Sequence, residues 1–116
     1  MEFYKFDRSS AKKITKFDSN FMMIRIAETE QETQISCMFL EPGGVIGYHQ
    51  ATVPQLLFIV KGEGFVRNES EENIKVQQGD AVYWNKDEWH ETKTDSGLTA
   101  IVIESKTLTP AYFGFK

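Results

Sequence analysis

The residues best suited to chemistry are His49 and His90, the only two histidines of the 116-residue chain. Gln55 follows His49 by six positions. Neutral imidazoles and amide oxygens both carry lone pairs that can bind a divalent transition metal or a polar ligand. Because residues two apart on a strand share a face, a strand through His49 would direct Ala51 to the same side. His49, Gln55 and His90 are therefore candidate side chains for a metal or ligand site, provided that the fold brings them together.

These three side chains form a weak donor set for a metal. Two neutral imidazoles and a neutral amide supply no negative charge to offset a dication in a low-dielectric pocket. If they meet in one pocket, we expect them to hold at most one divalent transition metal (Fe, Mn, Ni or Zn), weakly held and completed by water or substrate. The same side chains could instead hydrogen-bond to one another with no metal. The sequence leaves both arrangements open and identifies no catalytic residue.

The elements that must position these residues are short runs of β-branched and aromatic residues separated by turn signals. The clearest turn signal is the segment 41–44, where proline fixes φ and two glycines allow positive φ. One helical pattern, Ser9–Phe17, is weak. The predicted strands are Phe21–Ala27, Ser36–Leu40, Gln55–Val60, Phe65–Arg67, Ile74–Gln78, Ala81–Trp84, Trp89–Lys93 and Leu98–Glu104. Closely spaced strands without intervening helices predict an all-β, antiparallel sandwich or barrel.

The run Gln55–Val60 is apolar on both faces after its first residue. One face must therefore line the interior, and the other must be covered by a second layer or by another subunit. Two-fold self-association is common among soluble proteins, so we expect a homodimer.

Two segments also have the spacing of a known pair of motifs, residues 43–62 around His49 and residues 79–94 around His90. They resemble the signature motifs of the cupin superfamily, glycine-x5-His-x-His-x3,4-Glu-x6-glycine and glycine-x5-Pro-x-Gly-x2-His-x3-Asn. This resemblance implies an antiparallel double-stranded β-helix, the jelly-roll barrel of the cupins. It implies one cupin domain over residues 1–116, with the motifs in about 38–102. N-terminal strands would then lie within 1–37, and a C-terminal strand and tail within 98–116.

The resemblance carries over to single residues only in part. His49 and His90 match ligand positions of the motifs, whereas Ala51 replaces the second histidine and Gln55 replaces the glutamate. The resemblance therefore implies a pocket with a reduced metal site made of His49, Gln55 and His90. The second motif departs further at its proline, glycine and asparagine positions, which are Asn85, Asp87 and Thr94 here.

Two functions follow from the resemblance. In the first, the chain is a small-molecule-binding cupin of unknown specificity, with a reduced metal site. The residues expected to line its pocket are Met38, Ala51, Leu57 and Tyr83. In the alternative, the chain is a metal-dependent enzyme of the dioxygenase, isomerase or decarboxylase type. Related cupins use such sites on small organic acids or sugars.

Composition restricts the partners. Seventeen acidic residues against thirteen basic ones give a net charge of -4, which disfavours a nucleic-acid-binding surface. Cys37 is the only cysteine, so no intrachain disulfide can form. The longest apolar run, Leu56–Val60, is far shorter than the ~20 residues that span a bilayer. The N-terminus lacks the apolar core of a signal peptide. We therefore expect a cytoplasmic protein with a small-molecule ligand and no nucleic-acid or membrane partner.

Overall fold

The structure, a computed structural model, describes residues 1–110, so the predicted C-terminal tail lies outside the described residues from position 111 onward. Within residues 1–110 the chain forms twelve strands and two single-turn 3₁₀ helices, Arg8–Ser10 and Lys16–Asp18, but no α-helix. The strands are β1 (Glu2–Lys5), β2 (Lys12–Ile14), β3 (Phe21–Met23), β4 (Ala27–Glu28), β5 (Gln34–Leu40), β6 (Val45–Gln50), β7 (Gln55–Arg67), β8 (Ile74–Gln77), β9 (Asp80–Trp84), β10 (Trp89–Lys93), β11 (Leu98–Glu104) and β12 (Thr109–Pro110). Every pairing between them is antiparallel, which confirms the predicted fold class. No helix in this part of the chain is long and apolar enough to cross a membrane.

Two sheets face each other and share strand β7. The first half of β7 pairs with β9 and β11, so the first sheet has the order β1-β9-β7-β11-β5. The second half of β7 pairs with β8 and β10, so the second sheet has the order β8-β7-β10-β6. This is the double-sheet jelly roll that the cupin resemblance implied.

β7 passes from one sheet to the other near Gly62, where the sequence pattern predicted a turn between two strands. A register shift opposite Thr99 and Ala100 leaves Val60 as an extra residue, and such a bulge bends the strand and increases its twist. Gly62 has a φ of +83°, and a Cβ atom there would overlap the carbonyl oxygen of Gly97. The glycine signal therefore marks a bend inside one strand of 13 residues.

The two faces of β7 bury different sets of side chains. Leu57 and Ile59 point between the sheets and pack with Trp84 and other buried apolar residues. Leu56 points to the opposite side, where Tyr4, Phe6, Ala81 and Leu108 surround it. Leu56 is fully buried, which contributes about 1.5–3 kcal/mol relative to an exposed leucine. The second layer that the sequence required over this strand is thus provided by the chain itself.

Four strands, β1, β2, β6 and β12, lie outside the eight predicted runs. In β6 the residues Gly47, His49 and Gln50 interrupt the β-branched pattern, and pairing with β10 makes the segment a strand. The helical pattern Ser9–Phe17 instead contains parts of both 3₁₀ turns with β2 between them, and β2 pairs with β3. Long-range pairing therefore overrides local preference in these segments.

Candidate functional site

A cavity of about 70 Å³ lies between the two sheets. It brings together the three polar residues that the sequence predicted, His49, Gln55 and His90. The other residues around it are Met38, Ile46, Leu57, Trp84, Thr92, Val102 and Glu104. Six strands contribute to this wall, so the cavity depends on the complete jelly roll rather than on one hairpin.

His49 and His90 face each other from neighbouring strands. They are register partners in β6 and β10, and their ring centroids are 4.4 Å apart. His90 is buried, whereas His49 is exposed and forms the solvent side of the cavity. Nδ1 of His49 lies 2.7 Å from the Gly47 carbonyl oxygen, and Nδ1 of His90 lies 3.3 Å from that of Glu88. Because a carbonyl oxygen only accepts, each ring in its neutral form carries its proton on Nδ1 and keeps the Nε2 lone pair for a ligand.

A β-bulge in β6 determines which of its residues reach the cavity. Gly47 and Tyr48 together stand opposite Glu91 of β10. Because of this extra residue, Ile46 and His49 both line the cavity although they are three positions apart. Strict alternation would have turned one of them outward.

His90 and Trp84 form the buried wall of the cavity, with rings stacked at 4.2 Å and inclined by 19°. Burial lowers the pKa of His90 because it penalises the imidazolium, and the nearby His49 lowers it further. The backbone and the charge of Glu88 oppose this shift only in part, so His90 is neutral at physiological pH. Trp84 is buried, and its Nε1–H is the one buried side-chain polar atom among residues 1–110 without a hydrogen-bond partner. Such a donor is uncommon in a folded protein and requires an explanation.

Gln55 and Glu104 close the cavity from the first sheet. They are register partners in β7 and β11, and Nε2 of Gln55 donates to Oε1 of Glu104 at 2.8 Å. This hydrogen bond orients the amide and leaves its Oε1 as an acceptor. Glu104 also brings a carboxylate to the cavity that sequence reasoning did not place there.

The donor set does not fit a firmly held metal ion. Over residues 1–110, no three His, Cys, Asp or Glu side chains are grouped so that they could hold one. The carboxylate of Glu104 already accepts the hydrogen bond from Gln55, and two histidines alone leave a transition-metal shell incomplete. The weakly held Fe, Mn, Ni or Zn ion therefore stays a prediction.

The four residues expected to line the pocket divide into two pairs. Met38 and Leu57 lie in the cavity wall. Tyr83 does not, because it packs in the outer layer of the first sheet, and its neighbour Trp84 takes the inward position. Successive residues of a strand face opposite sides, and the sequence alone left the parity of this strand undetermined.

Ala51 is also absent from the cavity wall. The strand β6 ends at Gln50, so the two-residue alternation counted from His49 does not reach Ala51. Ala51 is fully buried, its N–H donates to the Glu88 carbonyl, and its carbonyl accepts from Asp87. Ala51 therefore lies outside the cavity wall that it was expected to line, and an alanine would bind no metal at either position.

The turn before His90 keeps a left-handed residue despite the altered motif. Asp87, at the position of the motif's glycine, has a φ of +72°. Aspartate enters this region more readily than most residues. The Asp87 carbonyl also accepts a hydrogen bond from the Gln50 side chain at 3.0 Å. The replacement of glycine by aspartate is therefore compatible with the turn that positions His90.

The remaining wall residues lay outside the predicted set: Ile46, Trp84, Thr92, Val102 and Glu104. Thr92 lies two positions after His90, and Glu104 lies two positions after Val102, so the members of each pair are expected to point to the same side of their strand. This alternation could have suggested Thr92 once His90 was chosen. Ile46 could not have been found this way, because the bulge in β6 breaks the period. Glu104 requires knowledge of the register between β11 and β7, which are far apart in sequence.

Comparison with known proteins agrees with this architecture. The sequence profile of the family described as Cupin domain matches residues 36–105, more than half of the chain. A search of curated proteins found no match.

Solved structures of similar fold come from several bacteria. A cupin superfamily protein from Desulfitobacterium hafniense has a TM-score of 0.59 at 15% identity, covering 68% of this chain and 74% of that one. An RmlC-like cupin from Shewanella frigidimarina has a TM-score of 0.60 at 18% identity, covering 66% and 68%. A predicted oxalate decarboxylase from Thermotoga maritima has a TM-score of 0.55 at 19% identity, covering 66% and 65%. At these identities the likeness shows the fold alone. The profile match and the jelly-roll topology together establish that the chain belongs to the cupin domain family.

Proposed function

We propose that this cupin binds a small, oxygen-bearing polar ligand in its cavity and does so without a resident metal. The observation that carries the proposal is the buried Nε1–H of Trp84, which has no acceptor and belongs to a residue of the cavity wall. Leaving a buried donor unsatisfied costs about 1–3 kcal/mol. A ligand oxygen that accepts from Trp84 would recover this cost, whereas an apolar group would not.

The size of the cavity restricts the ligand. A volume of about 70 Å³ corresponds to roughly two water molecules, each of which takes up about 30 Å³ in the liquid. Drug-sized ligands occupy pockets of about 300–1,000 Å³. The ligand group inside the cavity therefore has only a few non-hydrogen atoms, and a longer molecule would extend past His49 into solvent.

The charges around the cavity favour a neutral ligand. Glu104 contributes a carboxylate, and Gln55 stabilises it by donating a hydrogen bond. The lowered pKa of His90 leaves that ring without a compensating positive charge. Carbonyl and hydroxyl compounds should therefore bind better than carboxylates of the same size.

Fluorescence of Trp84 tests the proposal. The chain has two tryptophans, so a Trp89→Phe variant retains Trp84 as its only one. We expect saturable changes in its emission with acetamide or ethylene glycol, and weaker changes with acetate. Adding His49→Ala should abolish the response, whereas the matched control Tyr83→Phe, on the outer layer, should retain it. Absence of saturation with every neutral probe would contradict the proposal.

Metal analysis tests the metal-dependent alternative. Elemental mass spectrometry of the untagged protein should show metal far below one equivalent. Near-stoichiometric Fe, Mn, Ni or Zn that is lost in both His49→Ala and His90→Ala would replace this proposal with that of a metal-dependent cupin enzyme.

A further inference from the structure

Residues 12–23 form a hairpin of β2 and β3, here called the arm, which makes few contacts with the rest of the described chain. Its strands pair with each other from Lys12 opposite Met23 to Ile14 opposite Phe21. Between residues 1 and 110, no hydrogen bond or ion pair joins the arm to the body of the protein. An isolated two-stranded hairpin is at best marginally stable in water. A contact with another surface would therefore stabilise the arm.

The arm exposes large apolar side chains. Phe17 at its tip is 96% exposed, Phe21 is 48% exposed, and Met22 and Met23 are about 40% and 38% exposed. Single exposed apolar residues are ordinary, but a contiguous group marks an interaction surface.

A second exposed apolar surface lies on β5, at the edge of the first sheet. Over the described residues β5 pairs with β11 only, so its other edge is open. Ile35 and Phe39 are 65% and 74% exposed on its outer face, and Cys37 is exposed between them. The strand contains no charged residue and no proline, which are the usual protections of an edge. We call Ile35, Cys37 and Phe39 the β5 face.

The charges around these two surfaces are opposite. The arm carries Lys12, Lys13 and Lys16, and none of these lysines has an ion-pair partner within the described part of the chain. The β5 face is flanked along the chain by exposed glutamates, two before the strand and one after it, and no lysine or arginine occurs between Arg25 and Lys61. Across the sheet, Lys61 stands beyond Thr99 in line with Phe39, two strands away from β5. The flanking residues are Glu30, Glu32 and Glu41. The basic, apolar arm is thus complementary to the acidic surroundings of an apolar face.

We propose that the arm of one copy of this chain packs on the β5 face of a second copy, in a two-fold symmetric dimer. One chain carries both complementary surfaces, so reciprocal exchange covers both arms and both faces at once and closes the assembly. The opposite charges favour contact between the arm of one copy and the β5 face of the other. Two β5 faces brought together would instead repel each other through their glutamates.

Directed cross-linking tests which chain the arm touches. The wild type has its single cysteine, Cys37, on the β5 face, and a Met22→Cys/Cys37→Ser variant has its only cysteine on the arm. After mixing the two proteins, a short bismaleimide should join one copy of each. The matched control Ser70→Cys/Cys37→Ser places the cysteine in a distant exposed loop and should give no mixed product. The Met22→Cys single variant carries one cysteine on the arm and Cys37 on the β5 face. If it cross-linked within one chain and the two mixed proteins gave no cross-link between chains, the proposal would be overturned, because the arm would then cover its own chain.

Charge reversal with rescue provides a second readout. Sedimentation equilibrium should show a wild-type dimer, and Lys12→Glu/Lys13→Glu or Glu30→Lys/Glu32→Lys should each raise its dissociation constant on the order of 100-fold. Mixing the two reversed variants should restore dimerisation. The control Glu69→Lys/Glu71→Lys, in an acidic loop elsewhere, should behave as wild type. A wild type that is monomeric at about 100 μM, or that binds only a foreign protein, would overturn the proposal.

Discussion

Gln55 occupies the position of the cupin glutamate, and its partner Glu104 shows what an amide does there that a carboxylate would not. The amide donates a hydrogen bond to the carboxylate at 2.8 Å, whereas two carboxylates at this distance would repel. We expect Gln55→Glu to lower the free energy of unfolding at pH 7 by about 2 kcal/mol. The swap Gln55→Glu/Glu104→Gln reverses donor and acceptor and should recover most of that loss. Urea denaturation of both variants measures the difference, and a Gln55→Glu protein as stable as wild type would show that the pair does not form.

His90 makes the metal-free protein sensitive to acid. Its pKa is lowered in the folded state, so the unfolded chain binds more protons once the pH falls below about 6.5. Stability is therefore fully present above that pH and is lost as the pH falls through the folded-state pKa. We expect the thermal midpoint of chelator-treated protein to decrease between pH 7.5 and pH 5, and His90→Gln to flatten this dependence. An unchanged slope in His90→Gln would show that another group is responsible.

The polar residues of the cavity were accessible to sequence reasoning because motif spacing fixes them. His49, Gln55 and His90 could be chosen because they stand at ligand positions of the cupin motifs, and the structure places all three around one cavity. The choice between Tyr83 and Trp84 was not accessible, since both are aromatic and only the pleat of β9 decides which one points inward. Glu104 was also inaccessible, because it meets Gln55 through a pairing of distant strands.

At the scale of elements, the bend of β7 requires a glycine at position 62, whereas the glycine of an ordinary turn, such as Gly43, is easier to replace. Gly62 and Gly43 both have φ near +80°, but a Cβ atom on Gly62 would overlap the backbone of Gly97, whereas nothing lies within 4 Å of one on Gly43. We expect Gly43→Ala to cost about 1 kcal/mol, the ordinary penalty of a left-handed alanine. Gly62→Ala adds a backbone clash at the sheet crossing and should cost at least about 3 kcal/mol more. Chemical denaturation of the two variants gives the difference between their losses of unfolding free energy, which is the cost of the backbone clash. Equal losses would contradict the requirement for glycine at the bend.

The sequence pattern identified strands that coincide with a run of β-branched residues. It missed strands that form only because they pair with distant segments of the chain. The eight predicted runs correspond to β3–β5 and β7–β11, but the runs Gln55–Val60 and Phe65–Arg67 are halves of one strand. A strand that changes sheets looks like two strands in sequence, because the bend needs the same glycines as a turn. β6 was missed because its polar residues include the histidine that the cavity uses. Functional residues thus weakened the local signal of the element that carries them.

At the scale of the whole molecule, residues 1–110 divide into a body that is covered on both sides of its first sheet and an arm that these residues leave uncovered. Tyr4, Phe6 and Leu108 complete the layer over Leu56, so the body needs no second copy on that side. The opposite charges of the arm and the β5 surroundings are hidden in the net charge of -4. The net charge of the sequence cannot reveal this separation of charges, because the separation depends on which segments of the folded chain remain exposed.

Excision of the arm separates the stability of the body from self-association. Lys12 and Met23 are register partners, so their chain neighbours Ala11 and Ile24 lie close enough for a short Gly-Ser linker to replace residues 12–23. We expect the excised protein to keep the dilute-solution unfolding free energy within about 0.5 kcal/mol, because the arm makes no hydrogen bond or ion pair to the body among the described residues. Phe6→Ala, which opens the outer layer instead, should cost about 3–5 kcal/mol.

The concentration dependence of unfolding gives the decisive comparison for the excised protein. A dimer stabilises its folded state by mass action, so the thermal midpoint of the wild type should rise with protein concentration. The excised protein should have a constant midpoint, and so should a Phe39→Asp variant, which removes the other half of the same contact. If excision lowered stability in dilute solution as much as Phe6→Ala does, the arm would belong to the fold of its own chain. The exposed phenylalanines would then need an intramolecular partner.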